Sequence, residues 1–312
     1  MNEQQKSYIE IRGISKYFGA FAAVDKVDLD INKGELFSIL GASGSGKTTL
    51  LRMLAGLEIP SEGTIKIDGI DMTQVPPYKR PVNIMFQNYA LFPHMSVFDN
   101  IAYGLKKEGL SKDIIEDKVA KILSLVKLEE YGKRKPSQLS GGQSQRVALA
   151  RSLIKEPKVL LLDEPMAALD KKLRQSTQFE LVDIQFQLGV TFIIVTHDQE
   201  EAMTLSDRIA IMEQGKFVQI GEPNSIYENP NSNFVADFIG NINLFNAKIT
   251  STNDDDASFY CEALGGEIVI KKSIQDRSVK DVTLALRPEK MIIQKESPSN
   301  EDTNFISGVV EH

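Results

Sequence analysis

The stretch Gly41-Ala42-Ser43-Gly44-Ser45-Gly46-Lys47-Thr48-Thr49 contains a glycine, four residues and then Gly-Lys-Thr. An apolar run, residues 36–40, leads into it, and a helix-like run, residues 48–55, leads out. That is the strand–loop–helix setting of a phosphate-binding loop. Glycines let the backbone curl so that successive N–H groups point at one anion. The helix behind adds its positive end. Lys47 can reach terminal phosphates, and the Thr48 hydroxyl can ligate Mg²⁺. The expected chemistry is binding of a nucleoside triphosphate.

Asp163 and Glu164 follow a second apolar run, residues 159–162. A carboxylate at the end of a parallel strand lies at the sheet edge where α/β proteins bind ligands. Asp163 is placed to hold the hydration shell of Mg²⁺, and Glu164 to polarise an attacking water. Alone, such a pair is more often two solvated loop acids; a phosphate loop on the same chain reverses that preference. Leu139-Ser140-Gly141-Gly142-Gln143 then opens a helical run that extends to Ile154 and is closed by Pro157. Ser140 takes the N-cap position. The glycines expose backbone N–H groups, a second anion site on one chain.

The elements that must carry these residues follow from periodicity. Residues 8–11 and 27–31 alternate apolar with polar, as half-exposed antiparallel strands do, and residues 64–69 look similar. Residues 36–40, 159–162 and 192–195 are continuously apolar, which suits the centre of a parallel sheet covered on both faces. From 88 to 156 the pattern is helical. Ser111 can cap a helix with Ile114, Ile115, Val119, Ile122, Leu123 and Val126 on one face. A long helix from Lys172 to Leu188 stops at Gly189 and returns at once to a strand, a doubly wound crossover. Near residue 240 the composition changes. Residues 229–233 read as a loop, 234–239 as a short helix, 253–256 as a solvated turn, and 267–270 and 282–286 as β-like runs.

The 312 residues suffice for one large domain and a smaller one. No apolar run is long enough to cross a bilayer, and the N-terminus lacks signal-peptide character, so any membrane role is expected through a partner. The single cysteine, Cys261, excludes an internal disulfide and fits a reducing compartment. A net charge of −7 argues against nucleic acid as the main ligand.

Taken in order, the phosphate loop, Leu-Ser-Gly-Gly-Gln and the run from Val159 to Pro165 resemble the ATP-binding-cassette ATPases over nearly the whole chain. The resemblance implies an α/β fold of the phosphate-loop NTPase class. Its parts are a mixed, largely parallel core sheet with flanking helices, an antiparallel β subdomain and a helical subdomain at about 88–156. Residues 1–240 would form this nucleotide-binding domain. It also implies a head-to-tail homodimer in which the phosphate loop of one copy, Thr49 included, closes on Ser140, Gly141, Gly142 and Gln143 of the other, with ATP and Mg²⁺ between. Gln87 matches the glutamine that joins Mg²⁺ and water and reports to a transporter. His197 matches the histidine that contacts the γ-phosphate. Phe18 matches the aromatic that stacks on adenine, with neighbouring Tyr17 leaving that register open. Residues 168–170 resemble the loop that crosses the dimer interface, which brings Asp170 to the nucleotide. Ser144 and Ala167 depart from the usual residues without removing a donor that the chemistry needs.

Residues 88–95, unusually apolar and aromatic for a loop, read either as a buried turn or as a surface that receives a partner's helix. The family implies the second: two membrane permease subunits dock around residues 89–95, and a periplasmic-type solute-binding protein acts through them. The chain would then sit peripherally on the cytoplasmic face of the inner membrane. Leu286-Arg287-Pro288-Glu289 resembles part of the small β-barrel appended to importer ATPases, residues 241–312 here, cut short at His312. Residues 75–81, 91–95 and 216–221 look most like polyamine importers, the putrescine type above the spermidine type. Iron, sulfate and sugar importers have similar cassettes. A soluble cassette acting on nucleic acid would show a second cassette, a coiled-coil insertion or a basic arm, and none is visible. A binding protein without turnover conflicts with Glu164 and His197.

Overall fold

In a computed structural model of the chain, described over residues 7–253, 255–271, 280–292 and 304, the alternating runs near the N-terminus pair as antiparallel strands. β1 (Ile9–Phe18) and β2 (Phe21–Ile31) form a hairpin. β3 (Leu36–Leu40) enters the core and leads through the glycine loop into α1 (Lys47–Ala55). β4 (Glu62–Ile67) and β5 (Ile70–Asp71) return to the first sheet, ordered β2-β1-β4-β5. Next come β6 (Val82–Met85) and the helices α2 (Val97–Lys107), α3 (Lys112–Leu125) and α4 (Gly141–Leu153). β7 (Val159–Asp163), α5 (Lys171–Leu188), β8 (Thr191–Thr196), α6 (Gln199–Leu205), β9 (Arg208–Glu213), β10 (Lys216–Gly221) and α7 (Pro223–Glu228) complete this unit.

The central sheet runs β10-β9-β3-β8-β7-β6, with β9, β3, β8, β7 and β6 parallel. Its central strands β3, β8 and β7 are covered on both faces, which suits their nearly continuous apolar runs, whereas the edge strands β10 and β6 are only half-buried. Phe192 and Ile194 of β8, with Leu160 and Leu162 of β7, join the core that contains Val97, Ile101, Val119, Val147 and Leu181. The alternate residues Ile193, Val195 and Leu161 join Leu50, Leu54, Ile9, Val24 and Ile65 on the other side. The order β3-β8-β7-β6 sets four strand ends side by side. The glycine loop follows β3, His197 follows β8, Glu164 follows β7 and Gln87 lies just past β6.

Ser111 occupies the N-cap position of α3, but its side chain makes no capping hydrogen bond. Ile115, Val119, Ile122, Leu123 and Val126 are buried as expected, whereas Ile114 is exposed. The Ile114–Ile115 pair spans 100° of helix, and the buried stripe takes only the second. Arg80 was not expected as a core residue. Its guanidinium is buried and donates to the carbonyls of Val75 (2.7 Å), Met53 (2.8 Å) and Leu54 (2.7 Å). It thereby closes the C-terminal turn of α1, whose final carbonyls lack helical partners. Arg80→Ala is expected to destabilise the protein by on the order of 3 kcal/mol. A urea midpoint unchanged from the parent would remove that role.

The chain divides into compact units Met1–Asn229 and Pro230–His312. The division falls before the composition shift near 240 because α8 (Asn233–Phe238) packs within the second unit: Asn233 Nδ2 bonds Thr283 Oγ1 at 3.3 Å, and Arg287 Nη1 donates to the carbonyls of Ile239 and Asn241. That unit holds β11 (Asn243–Thr252), β12 (Ala257–Cys261), β13 (Gly266–Ile270) and β14 (Asp281–Leu286) as an antiparallel sheet ordered β13-β12-β11-β14. Phe259, Ala247, Ala257 and Cys261 form its small core. Asp254 of the acidic turn and residues 305–312 lie outside the described residues.

Candidate functional site

The loop after β3 needs glycine at two positions for steric reasons. A Cβ at Gly41 would run into the Met212 carbonyl, and one at Gly46 into the Ala23 carbonyl, with Gly46 also at φ +106°. α1 starts on Gly46 with no side-chain cap. Its first N–H groups therefore lack intrahelical partners at the loop, the arrangement that suits an anion. Ser43, Gly44 and Thr48 are exposed there and Thr49 is half-buried. The Ser45 hydroxyl is buried with no hydrogen-bond partner among the described residues.

Lys47 is buried, and its Nζ donates to the carbonyls of Gly41 and Ala42 at 2.8 Å each. Burial lowers its pKa, with the charges of Glu164 and Asp163 opposing the shift. A cation held in a curl of backbone at a helix start is matched to a polyphosphate.

Opposite the loop, Thr48 Oγ1 meets Asp163 Oδ1 at 3.3 Å. Burial raises the Asp163 pKa, which the Thr48 hydrogen bond and Lys47 counter. Glu164 sits in the left-handed region at φ +46°, pinned by its N–H to the Val195 carbonyl at 2.8 Å. A non-glycine residue in that region costs on the order of 1 kcal/mol, and such strain gathers at functional sites. It aims the carboxylate between two neighbours: Gln87 Nε2 donates to Oε2 at 2.8 Å, and His197 Nδ1 lies 3.0 Å from Oε1. An acid, an amide and an imidazole thus converge at the strand ends facing the phosphate loop.

The glycine pair at 141–142 belongs to a different neighbourhood. Ser140 and Gln143 close a capping box, with Ser140 Oγ accepting from Gln143 N at 3.3 Å and Gln143 Oε1 accepting from Ser140 N at 2.9 Å. The Gln143 side chain is therefore engaged in its own helix start. A Cβ on Gly141 would lie 3.5 Å from Leu169, and one on Gly142 would lie 3.1 Å from Leu173. These contacts seat the first turn of α4 against the loop 167–170 and the start of α5, where Asp170 Oδ1 caps Leu173 N at 2.9 Å. Among the described residues no hydrogen bond joins Ser140–Gln143 to the phosphate loop of the same chain. Phe18 and Tyr17 are both exposed at the tip of the β1–β2 hairpin, with Lys16 Nζ 5.2 Å from the Phe18 ring centroid.

Residues 88–95 combine the two readings left open by the sequence. Tyr89 is buried and its hydroxyl reaches the Pro165 carbonyl at 3.4 Å. Asn88, Ala90, Pro93 and His94 are exposed. Tyr89 and Ala90 are held at φ +59° and +44° by Arg151, which donates to their carbonyls at 2.7 and 2.8 Å and lies over Phe92. Arg151 was not anticipated, nor was the Arg174–Asp198 pair beside His197. Asp198 caps α6 by accepting from Glu201 N at 3.1 Å. Its Asp-x-x-Glu spacing is a helix-start signature that the sequence does display.

No helix among the described residues is long and apolar enough to cross a membrane. Residues 24–167 match the family described as ABC transporter. The chain is 55% identical over 307 residues to the putrescine transport ATP-binding protein PotG of Escherichia coli K12, covering 97% of this chain and 80% of that protein. It is 50% identical to the spermidine/putrescine import ATP-binding protein PotA of Rubrobacter xylanophilus, over 91% of this chain and 75% of that one. Among solved structures, the dimeric ATP-binding cassette MJ0796 bound to ADP and phosphate superposes with a TM-score of 0.61 at 30% identity, covering 69% of this chain and 98% of that one. CbiO1 of Clostridium perfringens, part of the ABC transporter complex cbiONQ, superposes with a TM-score of 0.67 at 30% identity, covering 72% and 91%. A phosphate loop, converging strand-end residues and similarity along almost the full length lead to one conclusion: the chain belongs to the ABC transporter ATP-binding proteins and is an ATPase of that family.

Proposed function

We propose that the protein is the energising ATPase of a polyamine importer, with putrescine as the favoured solute. The observation that carries the solute is the 55% identity over 97% of the chain to a putrescine transport protein, against 50% and 48% to two spermidine/putrescine relatives. No residue of this subunit need touch the solute, so similarity along the chain is the available guide.

In hydrolysis, Lys47 and the loop N–H groups bind the triphosphate, Glu164 takes the proton of the attacking water, and His197 orients the γ-phosphate. Gln87, hydrogen-bonded to Glu164, carries the state of that centre to the partly exposed loop 88–95, where two permease subunits dock. Mg²⁺ fits the Thr48–Asp163 pair and Gln87. Among the described residues no cluster of three His, Cys, Asp or Glu side chains stands ready for a metal. One or two protein ligands with phosphate oxygens and water completing the shell are what Mg²⁺ accepts. Bound there, the ion would neutralise phosphate charge as it develops.

Two copies pair head to tail, because the Ser140–Gly142 helix start serves a nucleotide that its own phosphate loop does not hold. Reconstitution of the protein in vesicles with its cognate permeases and binding protein tests the assignment. Labelled putrescine should accumulate with ATP, and putrescine-loaded binding protein should stimulate hydrolysis. Stimulation by iron, sulfate or a sugar in place of putrescine would reassign the solute and leave the ATPase reading standing.

A further inference from the structure

Glu164 and His197 line a small cavity of about 50 Å³ together with Ala167, Arg174, Thr196 and Glu201. Two buried polar atoms of these residues, Glu201 Oε1 and Arg174 Nε, have no hydrogen-bond partner among the described residues. Glu201 is only 3% exposed. Its other oxygen, Oε2, accepts from the Thr196 hydroxyl at 2.6 Å, and that hydroxyl accepts from Asp198 N at 3.0 Å. These two bonds clasp the turn that carries His197. Asp198 pairs with Arg174 Nη1, and Arg174 Nη2 reaches the Leu169 carbonyl at 3.3 Å. A polar cavity of this size has room for about two or three waters, and buried polar atoms in native proteins are almost always satisfied.

We propose that the cavity holds ordered water joining Glu201 Oε1 to Arg174 Nε, and that Glu201 is a positioning residue whose acid form fixes the His197 turn and whose ionised form loosens it. The inference rests on the reading of His197 as the γ-phosphate contact. As an acid, Glu201 accepts from Thr196 through one oxygen and donates to water through the other. Ionised, it sets a second negative charge beside Asp198, and both compete for the Arg174 guanidinium that anchors the turn to loop 167–170. The charged groups acting on it are Asp198 and His197 from the turn before α6 and Arg174 from α5, and Glu164, past β7, lines the same cavity. β3, also packed on α6, is the uncharged strand Leu36–Leu40, and α7 presents its buried Ile226. Burial pushes the Glu201 pKa up to about 7, reinforced by Asp198 and opposed by Thr196, Arg174 and His197.

The sign follows from linkage. A carboxyl raised in the folded state favours the acid form there, so native stability falls as pH rises from the ordinary carboxylate range to about 7 and levels off above it. Glu201→Gln keeps the shape of the acid and cannot ionise. Its melting temperature should gain on the parent between pH 5 and 7 and hold that gain above. In kcat for ATP, the parent should show a falling limb with a midpoint near 7. Glu201→Gln should lack that limb, with most of the parent's pH 6 rate and KM within about twofold. In the parent itself, the infrared carbonyl band of a protonated carboxyl should titrate with the same midpoint, a readout that needs no variant. A melting difference flat with pH, an infrared band that does not titrate near 7, a limb that persists in Glu201→Gln, or a Gln variant inactive at every pH each overturns the proposal. The melting and infrared readouts are independent of hydrolysis. A failed reading of the hydrolysis site would instead show in Glu164→Gln.

Discussion

Glu164→Gln is expected to lower ATP turnover by about 10²–10⁴-fold while leaving Mg-ATP affinity within a few-fold. The amide matches the carboxylate in shape and still accepts from Gln87 Nε2, now 2.8 Å from Oε2. The phosphate donors are elsewhere, in the loop before α1 and in Lys47. Only the basic oxygen for the attacking water is lost. Because the nucleotide then persists, Mg-ATP should drive the variant into a dimer closed over two triphosphates. Phosphate release reads the first effect and light scattering the second. Turnover within tenfold of the parent would deprive Glu164 of the role of base. A strictly monomeric variant at saturating Mg-ATP would contradict the composite site.

The parts of the candidate site were legible because each of them is local. A glycine loop between an apolar strand and a helix, an Asp-Glu pair after a run of leucines and a histidine after Phe192–Thr196 can each be recognised without knowing the partners. What the sequence does not contain is strand order. β6, β7, β8 and β3 lie side by side through crossovers of very different length, so the approach of Gln87, Glu164 and His197 is a property of topology. Arg80 and Arg151 were missed for a related reason. A basic residue reads as surface by composition, yet both here spend their donors on carbonyls at a helix end or a left-handed turn. The C-terminal strands were only half visible. β11, Asn-Leu-Phe-Asn-Ala-Lys-Ile-Thr-Ser-Thr, turns Phe245, Ala247 and Ile249 to its small core, an alternation only three apolar residues long that exposed Leu244 blurs.

Lys47→Ala should weaken nucleotide binding or turnover at least about tenfold, equivalent to about 1.4 kcal/mol. The structure adds an effect of opposite sign in the nucleotide-free protein. Burial disfavours charged Lys47 and lowers its pKa, and two carbonyls with the charges of Glu164 and Asp163 compensate only in part. Alanine removes that burden and leaves the Ala42 carbonyl its bond from Ser45 N at 3.2 Å, while the buried Gly41 carbonyl loses its Lys47 donor. The two effects oppose each other, so without nucleotide the variant should melt close to the parent. With nucleotide in excess, stabilisation grows as the logarithm of concentration over Kd, so a tenfold loss of affinity removes about 1.4 kcal/mol of it. A thermal melt with and without Mg-ATP separates the two terms. A variant that melts far below the parent in both conditions would make Lys47 a structural strut of the loop. A variant with the parent's full nucleotide-induced shift would take the ammonium out of the binding site.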